Sequence, residues 1–124
     1  HMKMQPDRIE GVNVISRHEP GRVWVNAQAW TQNVIVPLQG EPQRWTMAAH
    51  AELSSDDFEQ LLALRPEIVI FGSGPTLRFV SAALHRALFA QRVGVETMDT
   101  AAACRTYNVL ASEGRSVVAA LLLG

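Results

Sequence analysis

At 124 residues and 13.6 kDa, the chain has the size of one ordinary domain and enough apolar sequence to bury a core. Hydrophobic residues make up 48% and charged residues 19%, with a formal net charge of -1, which excludes a disordered chain and the basic excess typical of nucleic-acid binders. We therefore expect one globular domain over residues 3–124, with no nucleic-acid partner.

The two ends of the chain carry no recognisable targeting or membrane signal. His1-Met2 is typical of the remnant of a cleaved expression tag, as in a structural genomics target. The segment Lys3–Glu10 lacks the apolar run of a signal peptide, and the apolar tail Val117–Leu123 is too short to span a bilayer. A single cysteine, Cys104, excludes an internal disulfide and agrees with a reducing compartment. We expect a cytoplasmic protein with no transmembrane segment.

Short β segments dominate the first half. Val12–Ile15 and Arg22–Asn26 flank Glu19-Pro20-Gly21, whose proline and glycine favour a tight turn, so a β-hairpin is predicted. Val34–Val36 is a further β-branched run, and Arg44–Thr46 is predicted as a short edge strand. All three tryptophans lie in this half, and we expect them to fill the core between sheet and helices: Trp24, Trp30 and Trp45.

The second half begins with a predicted helix. It runs from about Asp56 to Leu64, is capped by Ser54 or Ser55, and precedes the continuous apolar strand Ile68–Phe71. The following helix is predicted from Thr76 to about Gln91, because four apolar residues recur on one face at helical spacing: Leu77, Val80, Leu84 and Leu88.

The remaining elements complete an alternating pattern. A strand at Val95–Met98 is followed by a helix from about Ala101 to Glu113, which ends before Gly114, and by a closing apolar strand at Val117–Leu123. Short connections between alternating strands and helices predict parallel neighbours. The fold class is α/β, with a parallel βαβαβ core at the C-terminus and N-terminal β-hairpin segments that extend or cover its sheet.

Two predicted strand-to-helix junctions mark the place where a site could lie. Gly72-Ser73-Gly74 and Asp99-Thr100 follow neighbouring parallel strands, and open α/β sheets gather ligands at such strand ends. The backbone N–H groups of the glycine turn could cradle an anion, although Leu77 stands where a dinucleotide fingerprint has its third glycine. We favour a structural interpretation, in which the glycines permit a tight turn and Asp99 or Thr100 caps the next helix. Anion binding is the alternative.

Polar side chains crowd the last predicted helix and its end: Arg105, Thr106, Tyr107, Asn108, Glu113 and Arg115. A buried network would explain them, with Arg105 or Arg115 paired to Glu113 or Asp99, and Asn108 bonded to the backbone of a neighbouring loop. Alternatively, the arginines recognise a carboxylate or phosphate of a ligand or partner beside the glycine turn. We favour the network as the main cause and superpose a binding role on it.

No residue set predicts catalysis or metal binding. Cys104 lies in the first turn of the last helix, where the helix dipole could lower a thiol pKa, but His85 is too far along the preceding helix to act as its base. His18 and His50 have no partner at metal-ligand spacing. We therefore predict no catalytic residue, no metal and no cofactor.

From Pro66 onward the sequence resembles one particular family. The residues that carry the resemblance cover a little under half the chain: Phe71-Gly72-Ser73-Gly74, Gly94-Val95 with Glu96, Met98-Asp99-Thr100, Ala103-Cys104-Arg105-Thr106-Tyr107-Asn108, Leu110, Glu113-Gly114-Arg115 and the closing apolar strand. They are similar to the small α/β domain family of unknown function that includes the mitochondrial respiratory complex I assembly factor three and its bacterial relatives. The chain shows no mitochondrial presequence, which points to a stand-alone bacterial member.

The resemblance implies a three-layer α/β domain around a central mixed sheet, with the three C-terminal strands at its heart. It also implies a protein that binds other proteins, and it supplies no catalytic residues. Two hypotheses follow. The first is a non-catalytic binding or assembly module that contacts a protein partner or an anionic group around the glycine turn, Asp99-Thr100 and the arginines. The second is a binder of a nucleotide-like or anionic small molecule, or an enzyme, that uses the same cleft. The exposed edge of a short β segment would also allow a homodimer.

Overall fold

The computed structural model describes residues 11–124, so the predicted tag remnant His1-Met2 and the segment Lys3–Glu10 lie outside the described residues. Within 11–124 the chain forms eight strands: β1 Ile15–Glu19, β2 Arg22–Val25, β3 Gln28–Trp30, β4 Val34–Pro37, β5 Gln43–Arg44, β6 Ile68–Gly72, β7 Gly94–Met98 and β8 Val117–Leu121. The α-helices of this part are α1 Ser55–Glu59, α2 Arg86–Ala90 and α3 Thr100–Ser112, and short 3-10 helices cover His50–Glu52, Gln60–Leu64 and Ala82–His85.

Five strands form the central mixed sheet, in the order β5-β4-β8-β6-β7. β6 lies between β8 and β7 and is parallel to both, whereas β4 is antiparallel to β8. The predicted parallel βαβαβ core is confirmed. The expectation that all three of its strands lie at the heart of the sheet is wrong for β7, which is an edge strand with partly exposed side chains. The parallel register places Gly72 opposite both Met98 and Leu121, so three strands end together at one edge of the sheet.

The central sheet is covered on both faces, which makes three layers. Alternate residues of β6 show the division, since Ile70 packs on one face and Val69 and Phe71 on the other. The first face is covered by α3 and by a three-stranded antiparallel sheet in the order β1-β2-β3. The second face is covered by the 3-10 and α-helices between residues 50 and 90. The three-layer α/β prediction is therefore confirmed.

The predicted hairpin forms and covers the sheet, although its first strand is Ile15–Glu19 and not the predicted Val12–Ile15. β1 pairs with β2 around the turn at Pro20-Gly21, and inward-facing Ile15, Val23 and Val25 join the core beneath α3. Of the three tryptophans, only Trp45 is buried, in an edge-to-face cluster with Phe58 and Phe71. The expectation that Trp24 fills the core is wrong, because it faces outward with the guanidinium of Arg17 4.7 Å from its ring centroid. Trp30 is half-buried at the margin of the core.

The predicted helix from Thr76 to Gln91 is wrong in its first half. Residues 73–81 form a loop, which we call the 73–81 loop, and helical structure starts at Ala82. Of the four residues at helical spacing, Leu88 is buried, Val80 and Leu84 are partly buried, and Leu77 is 52% exposed. Hydrogen bonds from this loop to strand ends replace the helical ones. The shorter helix α1, by contrast, begins as predicted, with the Asp57 carboxylate accepting from the backbone N–H of Ser54.

Among the helices formed by residues 11–124, none is long and apolar enough to cross a membrane.

Candidate functional site

The glycine turn and the Asp99-Thr100 junction meet at the edge where β6, β7 and β8 end, and we call them together the strand-end junction. Thr100 connects its three parts. The Thr100 hydroxyl donates to the carbonyl of Leu122 (2.6 Å) and accepts from the backbone N–H of Gly74 (2.8 Å), while the Thr100 N–H donates to the Gly74 carbonyl (2.9 Å). The N–H of Ser73 donates to Met98. The junction is thus bonded internally.

Each glycine of the turn is required for a different reason. Gly74 has a φ of +105°, which side chains rarely tolerate. Gly72 has no unusual φ, but a Cβ on it would lie 2.9 Å from both the Thr100 hydroxyl and the Leu121 side chain. The constraint on Gly72 thus arises from close packing against Thr100 and Leu121, and that on Gly74 arises from its backbone conformation.

The Asp99 carboxylate accepts from the backbone N–H of Ala102 (2.8 Å), which makes Asp99 the N-cap of α3. The N–H groups of Ser73 and Gly74 also have partners inside the fold. Donors that already serve the fold are poor anion receptors, because an incoming anion would have to displace their present acceptors. The geometry of the junction therefore agrees with the structural interpretation.

The 73–81 loop is held in place by Arg78. Its guanidinium donates to the carbonyl of buried Ser73 through Nε (3.0 Å) and through Nη2, and Nη2 also reaches the Gly124 carbonyl (3.1 Å). The Ser73 hydroxyl accepts from the N–H of Arg78 and donates to the carbonyl of Thr76, and Nε2 of His50 lies 3.1 Å from the Arg78 carbonyl. With Arg78 turned inward, the flanking Leu77 and Phe79 are 52% and 70% exposed.

A cavity of about 560 Å³ lies between the strand-end junction and the tip of the β1–β2 hairpin. Its hairpin wall comprises residues 18–21 and Val23, and its opposite wall comprises Gly74, Pro75, Thr100, Ala101, Leu122 and Leu123. Most of these residues are apolar or glycine. The cavity lies at the sheet edge where the strand order predicts a ligand site, and the hairpin that completes it was not predicted as part of the site.

Comparison with known proteins now identifies the family. The family model described as "Protein of unknown function (DUF498/DUF598)" matches residues 15–122, which is most of the chain. The chain belongs to this family. The resemblance inferred from the motifs after Pro66 is confirmed, and the match extends it back to the first strand.

Relatives of this DUF498/DUF598 protein include assembly factors and an uncharacterized protein. An uncharacterized protein of Rhodobacter capsulatus is 38% identical over 92 residues, covering 68% of this chain and 74% of that one. "NADH dehydrogenase [ubiquinone] 1 alpha subcomplex assembly factor 3" of Rattus norvegicus is 29% identical over 122 residues, or 90% of this chain. The chain spans 66% of the rat assembly factor and 44–47% of other vertebrate proteins of that name.

Solved structures of the family show the same fold. The crystal structure of a Bordetella parapertussis protein, a structural genomics target, has a TM-score of 0.88 and 32% identity, covering 94% of this chain and all of that chain. The α/β architecture is thus shared with a relative determined by experiment.

The ten residues predicted as a binding site fall into three groups in the structure. Gly72, Ser73, Gly74, Asp99 and Thr100 are together at the strand-end junction. The others are elsewhere, and whether any of the ten binds a ligand or partner stays a prediction.

Tyr107 and Asn108 belong to the contact between α3 and the N-terminal sheet. The buried Tyr107 hydroxyl lies 2.9 Å from the Asn13 carbonyl and 3.0 Å from the Pro37 carbonyl, and burial raises its pKa. The Asn108 side chain both donates to and accepts from the backbone of Ile15, at 2.9 Å each. The amide of Asn108 therefore pairs with β1 as a neighbouring strand would, so the predicted bond to a neighbouring backbone forms, but with a strand and not with a loop.

The predicted pairing of the arginines is wrong. Arg115 pairs with Glu67 (3.0 Å), just before β6, and this contact lowers the pKa of the Glu67 carboxyl. Since β6 has five residues, this pair is roughly 16 Å from the strand-end junction. Glu113 is also at the far end of α3, and Arg105 is exposed with no ion pair among the described residues.

Cys104 is fully buried, and burial raises its thiol pKa to about 12. The dipole effect expected at the start of α3 is therefore outweighed by loss of solvation. Across residues 11–124, no group of three or more His, Cys, Asp or Glu side chains could hold a metal ion.

The sequence patterns did not predict that Leu77, Arg78 and Phe79 belong to one ordered loop with exposed apolar side chains. One signal was available, because Phe79 does not lie on the apolar helix face defined by Leu77, Val80, Leu84 and Leu88. A large aromatic residue off the predicted buried face indicates either an exposed position or a different backbone.

Proposed function

We propose that this DUF498/DUF598 protein is a non-catalytic protein-binding module of the assembly-factor type, and that Leu77 and Phe79 contact its partner. The observation that carries the proposal is the inward-turned Arg78, which holds the 73–81 loop in the conformation that exposes both apolar side chains. Large apolar side chains held at a surface are typical of interaction sites.

The anchoring of the loop favours binding for an energetic reason. A mobile loop would lose conformational entropy when a partner ordered it, and this loss would weaken the complex. Internal hydrogen bonds of Ser73 and Arg78 order the 73–81 loop before any partner arrives. The burial of Leu77 and Phe79 would then contribute to affinity without that cost.

The relatives suggest the kind of partner. Several are named as assembly factors for a subcomplex of NADH dehydrogenase, so we propose by analogy that the partner is a protein subunit bound during assembly of a larger complex. Its contact surface would be apolar. The single cysteine of the sequence is consistent with a reducing compartment, and we propose the cytoplasm as the place of action.

Photo-crosslinking tests this proposal. A photoreactive phenylalanine analogue at Phe79 should capture a specific protein in the native host, whereas the same analogue at Phe89, 49% exposed in α2, should not. The captured protein, once purified, should bind the wild type but not a Leu77→Ser/Phe79→Ser variant.

A Val109→Ser variant is the matched control, because Val109 is 57% exposed on α3, away from the loop. If the double variant binds the purified protein as tightly as the wild type, the proposed surface is wrong. Capture of a second copy of this chain would replace the assembly-factor proposal with a homodimer.

A small-molecule site at the same sheet edge is the second candidate function. The cavity between the hairpin and the strand ends favours it independently of the loop.

A further inference from the structure

We propose that the cavity binds a small apolar molecule whose polar group is neutral or cationic, and that it excludes anions. This inference goes beyond the protein-binding proposal and does not depend on it. It also differs from the sequence-based alternative, in which the glycine turn binds an anion.

The size and walls of the cavity favour a small apolar molecule. A volume of about 560 Å³ falls within the range of ordinary ligand pockets, roughly 300–1,000 Å³. Its walls include Pro20 and Val23 from the hairpin and Pro75, Ala101 and Leu123 from the opposite side. Burial of an apolar group against such walls is favourable because it removes both surfaces from water.

Three hydrogen-bond donors at the junction are already occupied. The Gly74 N–H donates to the Thr100 hydroxyl, that hydroxyl donates to the Leu122 carbonyl, and the Thr100 N–H donates to the Gly74 carbonyl. A buried anion without donors retains the full cost of its lost hydration. A carboxylate or phosphate at this wall would therefore find none of these three donors free.

The charges around the cavity also disfavour an anion. Glu19 is the one charged residue of the lining, and no lysine or arginine contributes to it. The Glu19 carboxylate has Arg17 3.5 Å away, yet 40% of its side chain is exposed, so it remains accessible to a cationic group. Arg78, the nearest arginine in sequence to Gly74, is turned to the carbonyls of Ser73 and Gly124. An anion would thus meet the like charge of Glu19, and the cation beside the lining, Arg17, is already paired with that carboxylate.

A competition experiment with a neutral fluorescent probe tests the proposal. N-phenyl-1-naphthylamine should gain fluorescence on binding the full chain at pH 7. Three ligands with the same ten-carbon tail should then differ by head group, all used below their micellar concentrations. Decylamine and decanol should displace the probe, and decanoate should be at least about tenfold weaker, a difference that corresponds to roughly 1.4 kcal/mol.

Variants locate the binding and test the charge. Ala101→Trp should abolish probe binding, because Ala101 is an exposed residue that lines the cavity, and Val109→Trp on the same helix should leave it unchanged. Glu19→Gln should reduce the advantage of decylamine over decanoate. Leu77→Ser/Phe79→Ser should retain the probe, which separates this inference from the protein-binding proposal.

Absence of probe binding, or unchanged binding by a folded Ala101→Trp variant, would overturn the cavity assignment. Circular dichroism and melting of that variant establish that it is folded. Displacement by decanoate as efficient as by decylamine would overturn the charge assignment.

Discussion

Replacing Arg78 by alanine tests the physical basis of the exposed loop. The guanidinium donates three hydrogen bonds to backbone carbonyls, two to Ser73 and one to Gly124. Alanine would remove all three and leave the buried Ser73 carbonyl without those donors. The 73–81 loop should then lose its fixed conformation.

The magnitude follows from which of these bonds is protected from water. The contact with Gly124 is exposed and should contribute little, whereas the two bonds to Ser73 are part-buried. Hydrogen bonds to a charged group contribute about 1.5–3 kcal/mol. Because both part-buried bonds reach the same Ser73 carbonyl, we count them as one contribution and expect Arg78→Ala to lower the free energy of unfolding by about 1.5–3 kcal/mol. For a domain of this size the melting temperature would fall by roughly 5–12 °C.

Two measurements check this expectation. Urea-induced unfolding followed by circular dichroism gives the change in the free energy of unfolding. Amide hydrogen exchange reports the loop itself, because the N–H of Arg78 donates to the Ser73 hydroxyl and should exchange faster in the variant. Arg78→Lys should restore stability only in part, since an ammonium group lacks the planar fork that reaches Ser73 through two nitrogens.

Arg105→Ala is the control. The Arg105 side chain is exposed and makes no hydrogen bond or ion pair with the described residues, so its removal should change the free energy of unfolding by less than about 0.5 kcal/mol. If Arg78→Ala is equally neutral and its amide exchange is unchanged, the guanidinium does not hold the loop, and the argument for an ordered docking surface fails.

Three further predictions concern the fold around the site. Gly74→Ala should lower the free energy of unfolding by about 1–3 kcal/mol, because the φ of Gly74 is +105° and a Cβ would lie 2.9 Å from the Gly124 carbonyl. Gly21→Ala is the control and should cost less, because Gly21 has a φ of +78° but open space around it; equal urea midpoints for the two variants would contradict the role of packing. Burial lowers the pKa of His85, so below pH about 6.5 the unfolded chain binds more protons than the folded one, and the free energy of unfolding should fall as the pH decreases. His85→Leu should flatten this pH dependence, and an unchanged slope would show that another group titrates. Native Cys104 should react with iodoacetamide far more slowly than the unfolded thiol, and rapid native alkylation monitored by mass spectrometry would show that the thiol is accessible.

The accuracy of the sequence predictions differed between the two crossover helices for a definable reason. α3 was predicted within one residue of its observed ends, because Asp99 provides a local cap and Gly114 a left-handed stop. The segment after Gly74 has equally good apolar spacing, yet its first seven residues, 75–81, belong to a loop. There the competing bonds come from Ser73 and Arg78, which connect side chain to backbone across five residues and reach the distant Gly124.

The site shows the same distinction. The meeting of the glycine turn with Asp99-Thr100 could be predicted, because strand order and parallel register place the ends of β6 and β7 side by side. The ion-pair partners of the arginines could not be predicted from sequence alone, since each charged side chain has several oppositely charged candidates. Arg115 pairs with Glu67, a residue 48 positions away that none of the local patterns connects with it.

The sequence by itself determined the class of this protein: the alternation of apolar strands and capped helices, the parallel core, the turn glycines and the motifs of the DUF498/DUF598 family. These features are local, and backbone geometry and hydrophobic periodicity express them within a few residues. Tertiary structure alone decided what the surface offers. It bonded the N–H groups of Ser73 and Gly74 to Met98 and Thr100, turned Arg78 inward so that Leu77 and Phe79 face solvent, and placed the hairpin against the strand ends to form a cavity. Each of these depends on contacts between residues far apart in the chain, whose energies compete only once the layers have packed.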